Sequence, residues 1–259
     1  MSRQHQPERR RILRGLLAAS AASLLAACDR LSANEQFLGG LKKAEKLSRA
    51  AQKLLTGKKA MAQEFAEEDR APVFRSNGTL MPAGDEYQAL LANNFADWKL
   101  QVDGLVAKPA SFSLAELRAL PSRTQITRHD CVEGWSCIGK WKGVPLAHVL
   151  AMVQPLPQAK YVMFHCADAM DEEDEDSKYY ESVDLDEANH AQTILAYDLN
   201  DAPLPVSNGA PLRARIERQL GYKHAKYLMR IELVESFATI RDGNGGYWED
   251  EGYEWYAGI

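Results

Sequence analysis

Residues 128–146 read RHDCVEGWSCIGKWKGVPL and form the densest group of chemically informative side chains in the chain. The preceding residues 124–127 predict a β-strand, so Cys131 lies where a strand opens into a glycine-containing loop. Strand ends that open into loops are common positions for functional groups. A lone cysteine is usually a small apolar core residue, and this position instead favours a functional thiol.

Three further blocks follow in order. Residues 180–196 read YESVDLDEANHAQTILA, residues 204–213 read LPVSNGAPLR, and residues 221–226 read GYKHAK. With the cysteine block, they resemble the sulfite-oxidase-type molybdopterin-dependent oxidoreductases. The most similar branch holds the catalytic subunit of the periplasmic protein-methionine-sulfoxide reductase. The resemblance covers residues 90–235 and implies an α+β fold of mixed sheets and short helices. It also implies an enzyme that transfers an oxygen atom at a bound molybdenum–molybdopterin cofactor.

The resemblance assigns roles to individual residues. It makes Cys131 the catalytic residue and the molybdenum ligand, because a soft thiolate suits a metal already bound by sulfur. The remaining positions that it implies contact the pterin are Asn94, Cys166, Asn208, Arg213, His224, Ala225 and Lys226. The planar guanidinium of Arg213 suits a phosphate. Cys166 replaces a threonine of the reductase branch, and so adds a second thiol near the expected metal.

The resemblance favours reduction of an S-oxide-type substrate, either a small molecule or a protein. Sulfite-type oxidation in the same family is the alternative, because these motifs do not fix the direction of oxygen transfer. The sequence contains no haem-attachment Cys-x-x-Cys-His motif. We therefore expect a separate electron-transfer partner, either a membrane haem protein or a cytochrome.

The residues alone leave other classes of function open. Cys131 could form a disulfide with Cys137 or Cys166, as exported cysteines often do, and then serve as a thiol oxidoreductase. The histidines show no tight ligand spacing, so zinc binding is weakly indicated. A non-catalytic lipoprotein binding module that kept the fold is the remaining alternative.

The N-terminus predicts export. Residues 8–14 read ERRRILR and resemble a twin-arginine signal with Arg9 and Arg10 as the pair, and an apolar stretch over 15–27 follows. Residues 25–28 read LAAC and resemble a bacterial lipobox that is cut before Cys28. Residues 1–27 are therefore predicted to be a twin-arginine lipoprotein signal peptide, with lipidation at Cys28. The adjacent Asp29 resembles an inner-membrane retention signal, so we expect a periplasmic protein whose only membrane contact is its lipid anchor.

Charge excludes one class of partner. The 259 residues carry a net charge of −5, and removal of residues 1–27 leaves 26 Lys and Arg against 35 Asp and Glu, a net charge of −9. Nucleic-acid binding depends on neutralising phosphates, so nucleic acid is not an expected partner.

The remaining chain predicts a spacer followed by one domain. Apolar residues recur at helical spacing over 32–70, and residues 71–85 are rich in turn formers. We therefore expect a helical spacer and loop over 28–85, and the molybdopterin-binding domain with an aromatic C-terminal tail over 86–259. Within the domain, the patterns predict a strand over 98–104, a helix capped by Ser113, a helix over 144–152 and a solvated acidic loop over 168–176.

Overall fold

The computed structural model describes residues 34, 36, 37, 39, 40, 44, 47, 50, 51, 57, 59–171 and 174–259. The predicted signal peptide and Cys28 lie outside these residues. The chain divides into two units, Met1–Leu55 and Thr56–Ile259. In the first unit, the described residues between Gln36 and Ala51 are helical. No helix among the described residues is long and apolar enough to cross a membrane.

The second unit contains two five-stranded sheets and short helices, so the predicted α+β class is confirmed. Its helices are α1 (Asp85–Ala92), α2 (Leu114–Ala119), α3 (Leu146–Val153), α4 (Leu185–Ala188) and α5 (Tyr247–Asp250). Its strands are β1 (Lys99–Gly104), β2 (Ala110–Ser113), β3 (Arg123–Cys131), β4 (Trp135–Pro145), β5 (Tyr161–Asp171), β6 (Asp174–Asp184), β7 (Ile194–Leu199), β8 (Ala202–Pro203), β9 (Arg213–Arg215) and β10 (Leu228–Val234).

One sheet has the strand order β2-β1-β10-β5-β6, and β1 and β10 are its parallel pair. The other has the order β3-β4-β7-β8, with β9 paired to β7. The largest apolar cluster draws on both sheets and on α3, and includes Trp98, Leu150, Phe164 and Leu195. Apolar burial of this kind is the main stabilising contribution to the fold.

The predictions of secondary structure were correct where an element depends on residues close to it in the sequence. The backbone N–H of Glu116 donates to Ser113 Oγ at 3.2 Å, and Ser113 N–H donates to the Glu116 carboxylate at 2.8 Å. This capping box starts α2 as predicted. The strand predicted over 98–104 is β1.

Three predictions were wrong where tertiary pairing prevails. Residues 60–66 are not helical, because Phe65 N–H donates to Ile126 O at 2.9 Å and Glu64 bridges Thr127 along the edge of β3. Helix α3 starts at Leu146 rather than residue 144, since the residues before it pair with β7 as part of β4. Asp168 of the acidic run does not lie in a solvated loop but on β5, where it is 4% exposed, whereas Asp171 and Asp174, which pair at the end of the β5–β6 hairpin, are exposed as predicted.

Candidate active site

Cys131 lies on the wall of a cavity that opens to solvent. Six separate segments of the chain contribute to its wall. The residues that line it are Asn77, Gly78, Thr79, Cys131, Glu133, Asp168, Met170, Tyr179, Gly221, Tyr222, His224, Lys226 and Trp248.

Strand β3 delivers Cys131 to this wall. The strand ends at Cys131, and a turn closed by Gly134 N–H donating to Cys131 O leads into β4. Gly134 has a φ of +84°, a left-handed conformation that glycine adopts without steric cost. Burial raises the pKa of the Cys131 thiol above its usual value, and the backbone N–H of Glu133 and the charge of Arg75 partly oppose this rise. Without a metal, the thiol therefore stays protonated at neutral pH.

Buried basic residues lie next to the cavity. Arg213 on β9 is fully buried; its Nη1 donates to Asn208 O at 3.0 Å and its Nη2 to His224 O at 3.2 Å. Burial and the neighbouring Arg215 charge lower the pKa of Arg213 to about 9. Arg213 therefore ties the two segments predicted to hold the pterin, 204–213 and 221–226, to each other through their backbones.

Lys226 connects segment 221–226 to segment 77–79, which also lines the cavity. Its Nζ donates to Asn77 O at 2.6 Å, to Ser207 O at 3.1 Å and to Thr79 O. Burial and Arg213 lower the pKa of Lys226 to about 7, and the charge of Asp168 opposes this. These three hydrogen bonds account for the three donors of the ammonium group. Lys226 thus fixes segment 77–79 in its place in the cavity wall.

Asp168 is the buried acid of the site. Burial raises its pKa to about 6, while Lys226 and the hydrogen bond from Thr79 act in the opposite direction. Its Oδ1 has no hydrogen-bond partner among the described residues. An acid with a pKa near neutrality at a cavity wall is a common feature of functional sites.

Two glycines permit close packing at the cavity. A Cβ on Gly221 would lie 2.5 Å from Nε2 of the buried His129. A Cβ on Gly209, whose φ is +109°, would lie 2.9 Å from Cβ of Lys226. Both positions therefore exclude larger residues.

The structure brings part of the predicted set together and places the rest elsewhere. Cys131, His224 and Lys226 line the cavity, and Arg213 lies directly behind it. Asn208 lies in an adjoining cleft, where its Nδ2 donates to Ser76 Oγ at 3.1 Å. These positions agree with the predicted roles, and the roles themselves stay predictions.

Besides Asn208 and Arg213, three more of the predicted cofactor contacts lie outside the cavity lining. Ala225 and Cys166 are buried in the main apolar cluster, where burial raises the pKa of the Cys166 thiol well above its usual value. Asn94 is exposed in the turn after α1, with a φ of +55°. Among the described residues, Cys131, Cys137 and Cys166 are free thiols rather than disulfide partners.

Several lining residues were not predicted. Segment 77–79 was read only as a loop, and Asp168 was read as part of a solvated charge run. Met170 and Tyr179 sit on β5 and β6, on the side of the hairpin that faces the cavity. Trp248 comes from α5 in the aromatic tail, which the sequence analysis did not place at a site.

The polar groups around the cavity fit a polar, anionic cofactor. Buried atoms with no hydrogen-bond partner in the described part of the chain include His224 Nδ1, Asp168 Oδ1, Arg213 Nε and Asn77 Oδ1. Buried polar atoms in native proteins are nearly always hydrogen-bonded, so this cluster indicates a ligand with several donors and acceptors. A thiol on the same wall adds a soft metal ligand.

Comparison with known proteins identifies the class. Residues 88–239 match the family described as the oxidoreductase molybdopterin binding domain, and the chain belongs to this family. It is a molybdenum-dependent oxidoreductase that binds a molybdopterin cofactor, which confirms the resemblance read from residues 128–226.

Two individual relatives agree with this assignment to the family. The chain is 35% identical over 252 residues to a protein of Azospira oryzae that carries the name protein-methionine-sulfoxide reductase subunit YedZ1, with 97% of this chain and 88% of the relative aligned. It is 38% identical over 160 residues to the protein-methionine-sulfoxide reductase catalytic subunit MsrP of Xanthomonas axonopodis pv. citri. That alignment covers 58% of this chain, which spans about half the length of the MsrP relative (49%).

Among solved structures, the sulfane dehydrogenase SoxCD from Paracoccus pantotrophus is similar to this chain. The identity is 23% and the TM-score 0.49, over 54% of this chain and 39% of that chain.

Proposed function

We propose that this protein reduces an S-oxide substrate by oxygen-atom transfer at a molybdenum centre held by Cys131. The observation that carries the proposal is the Cys131 thiol on a cavity wall that also presents His224, Lys226 and Asp168. The names of the relatives that match over 252 and 160 residues support the direction, since both refer to methionine-sulfoxide reduction.

The residues of the chain divide the work of holding the cofactor. The Cys131 thiolate would bind molybdenum, and metal binding would displace the proton that burial favours on the free thiol. Arg213 and Lys226 supply positive charge beside the cavity for the phosphate of the pterin, and His224 offers a ring nitrogen without a partner in the described residues. When bound, the cofactor supplies the two-electron chemistry of oxygen-atom transfer.

The reaction needs protons as well as electrons. Reduction of an S-oxide breaks the sulfur–oxygen bond, takes two electrons and two protons, and releases the sulfide and water. Oδ1 of Asp168 is suited to hold and deliver a proton at the cavity wall, because its pKa of about 6 allows exchange near neutral pH.

The test uses the holoenzyme from a host that makes the cofactor. With a dithionite-reduced viologen dye as the electron donor, we expect oxidation of the dye on addition of N-acetyl-methionine sulfoxide amide, with the sulfide detected by mass spectrometry. The Cys131→Ser variant is expected to lose this activity, whereas Cys137→Ser, which changes the thiol on β4, keeps it. Oxidation of sulfite with ferricyanide, without reduction of any S-oxide, would overturn the proposal.

We further propose that the protein is exported and anchored by a lipid on Cys28 at the periplasmic face of the inner membrane. The twin-arginine and lipobox motifs in residues 8–28 support this. Labelling of growing cells with radioactive palmitate is expected to mark the wild type and not Cys28→Ser. Labelling of both proteins would refute the anchor.

Electrons are proposed to come from a separate membrane haem protein or cytochrome, because the sequence has no haem-attachment motif of its own. Membranes of the native host that contain reduced haem are expected to be reoxidised by the holoenzyme plus the S-oxide. Haem that stays reduced in their presence would count against such a partner.

A further inference from the structure

The C-terminal tail supplies one wall of the cavity. Trp248 lines the cavity, although it lies beyond residues 88–239 that match the family. Its ring packs against Tyr253, with centroids 5.2 Å apart and planes 30° apart, and Tyr253 meets Tyr222 edge-on at 5.4 Å. The tail therefore adds Trp248 to the cavity lining, and Tyr253 of the tail connects its ring to Tyr222 of the matched domain.

A buried ion cluster fixes the tail in this place. Lys223 Nζ donates to the carboxylates of Glu181 on β6 and Glu249 on α5, and all three side chains are at most 1% exposed. Glu249 is adjacent to Trp248, and Lys223 is adjacent to the lining residue Tyr222. Buried charges of this kind hold a defined geometry, because separating them leaves an uncompensated charge.

Further contacts hold the rest of the tail. Leu220 N–H donates to Ala257 O at 2.9 Å, and Trp255 Nε1 donates to Ser182 Oγ at 2.8 Å. Trp248 itself is half-buried and packs against the main apolar cluster. The position of its indole is therefore determined by the body of the protein.

The side chains that line the cavity are of two chemical kinds. Cys131, Asp168, His224 and Lys226 supply the charged and metal-binding groups, whereas Met170, Tyr222 and Trp248 supply apolar and aromatic surface. The polar groups suit the cofactor. The aromatic groups suit hydrocarbon beside a sulfur atom, since aromatic rings bind apolar groups and polarisable sulfur well.

We propose that Trp248 is a specificity-determining residue: its indole, with Tyr222 and Met170, receives the hydrocarbon substituents that flank the sulfur of the substrate. This rests on the proposed function and narrows its substrate class to S-oxides that carry an extended apolar group, such as a methionine side chain. Dimethyl sulfoxide, which has only two methyl groups, makes less use of this wall.

The test compares two substrates in holoenzyme variants. Trp248→Ala is expected to raise KM for N-acetyl-methionine sulfoxide amide about tenfold, which corresponds to about 1.4 kcal/mol, and to raise it more than KM for dimethyl sulfoxide. The kcat values are expected to change less than KM. Trp248→Phe, which keeps an aromatic ring, is expected to fall between the wild type and Trp248→Ala, and gives the answer if the alanine variant does not fold.

The control is Ile259→Ala, a change in the same tail at an exposed side chain that does not line the cavity. It is expected to leave both KM values at those of the wild type. An equal change in KM for the two substrates, or no change in Trp248→Phe and Trp248→Ala, would overturn the proposal.

A binding measurement separates this proposal from the proposed function. Calorimetric titration of the holoenzyme with the sulfide N-acetyl-methionine amide is expected to show a Kd that rises about tenfold in Trp248→Ala. If the enzyme reduces no S-oxide but its binding of the sulfide depends on Trp248, the proposed reaction is refuted and the proposed role of Trp248 in binding stands. If the enzyme reduces S-oxides but the Kd is the same in Trp248→Ala, only the proposed role of Trp248 is refuted. If the enzyme shows no binding and no reduction, both proposals are refuted.

Discussion

Replacement of Asp168 by asparagine is expected to change how the stability of the protein depends on pH. Burial raises the pKa of Asp168 from 3.8 to about 6 in the folded protein. Between these pH values the folded state binds more protons than the unfolded state, so this carboxyl lowers the free energy of unfolding as the pH rises. At 1.36 kcal/mol per pKa unit, the full loss above pH 6 is on the order of 3 kcal/mol.

Asparagine cannot ionise, so the Asp168→Asn variant does not show this decrease in the free energy of unfolding as the pH rises. Without the carboxylate, the opposing charge that raises the pKa of Lys226 is also removed, so the pKa of Lys226 falls further below its usual value. A lysine with a lowered pKa makes the folded state more stable as the pH rises. Both effects have the same sign, so the stability of Asp168→Asn relative to the wild type is expected to rise between pH 4 and pH 7.

The measurement is urea unfolding at several pH values, with protein from a host that cannot make the pterin. Asp85→Asn, an exposed change in the first turn of α1, is the matched control. A difference between Asp168→Asn and the wild type that stays constant, or falls, from pH 4 to pH 7 would refute the electrostatic reasoning.

Three other substitutions test separate parts of the structure. Lys223→Met leaves two buried carboxylates without their cation and is expected to lower the free energy of unfolding by about 3–5 kcal/mol in urea titrations; a loss below 1 kcal/mol would contradict the ion cluster. Gly221→Ala places a Cβ 2.5 Å from His129 Nε2, so we expect less molybdenum per chain by elemental analysis, and unchanged metal content would contradict the close packing. Cys137→Ala removes a buried thiol that lies outside the cavity lining. This variant is expected to lower the free energy of unfolding by about 1 kcal/mol and to keep full dye-linked activity. Loss of activity would mean that the Cys137 thiol takes part in the reaction.

The parts of the fold that the sequence predicted well are those with local causes. The capping box of Ser113 and Glu116 and the alternation along β1 depend on neighbours within a few residues, and both appear in the structure. Residues 60–66 have helical composition but lie along the edge of β3, because hydrogen bonds to Ile126 and Gln192 prevail over local propensity. Pairing of this kind joins residues that are far apart in the sequence, so a short stretch of sequence does not predict it.

The site was predictable to a similar extent. Cys131 was found because a strand end and an ordered set of motifs both point to it. Asp168 was missed because its neighbours in the sequence are acidic, whereas its burial comes from segment 77–79 and Lys226. Trp248 was missed because contacts between distant parts of the chain, among them the ion cluster of Glu249 with Lys223, bring the tail to the cavity.

The central claim is that Cys131 binds molybdenum in a pterin cofactor, and metal analysis tests it most directly. The wild type and Cys131→Ser would be purified from a host able to make the cofactor, and molybdenum and released pterin would be measured per chain. The account predicts about one molybdenum and one pterin per wild-type chain, with the metal and the dye-linked activity largely lost in a folded Cys131→Ser. A wild type with neither molybdenum nor pterin, or a serine variant with full metal and activity, would contradict it.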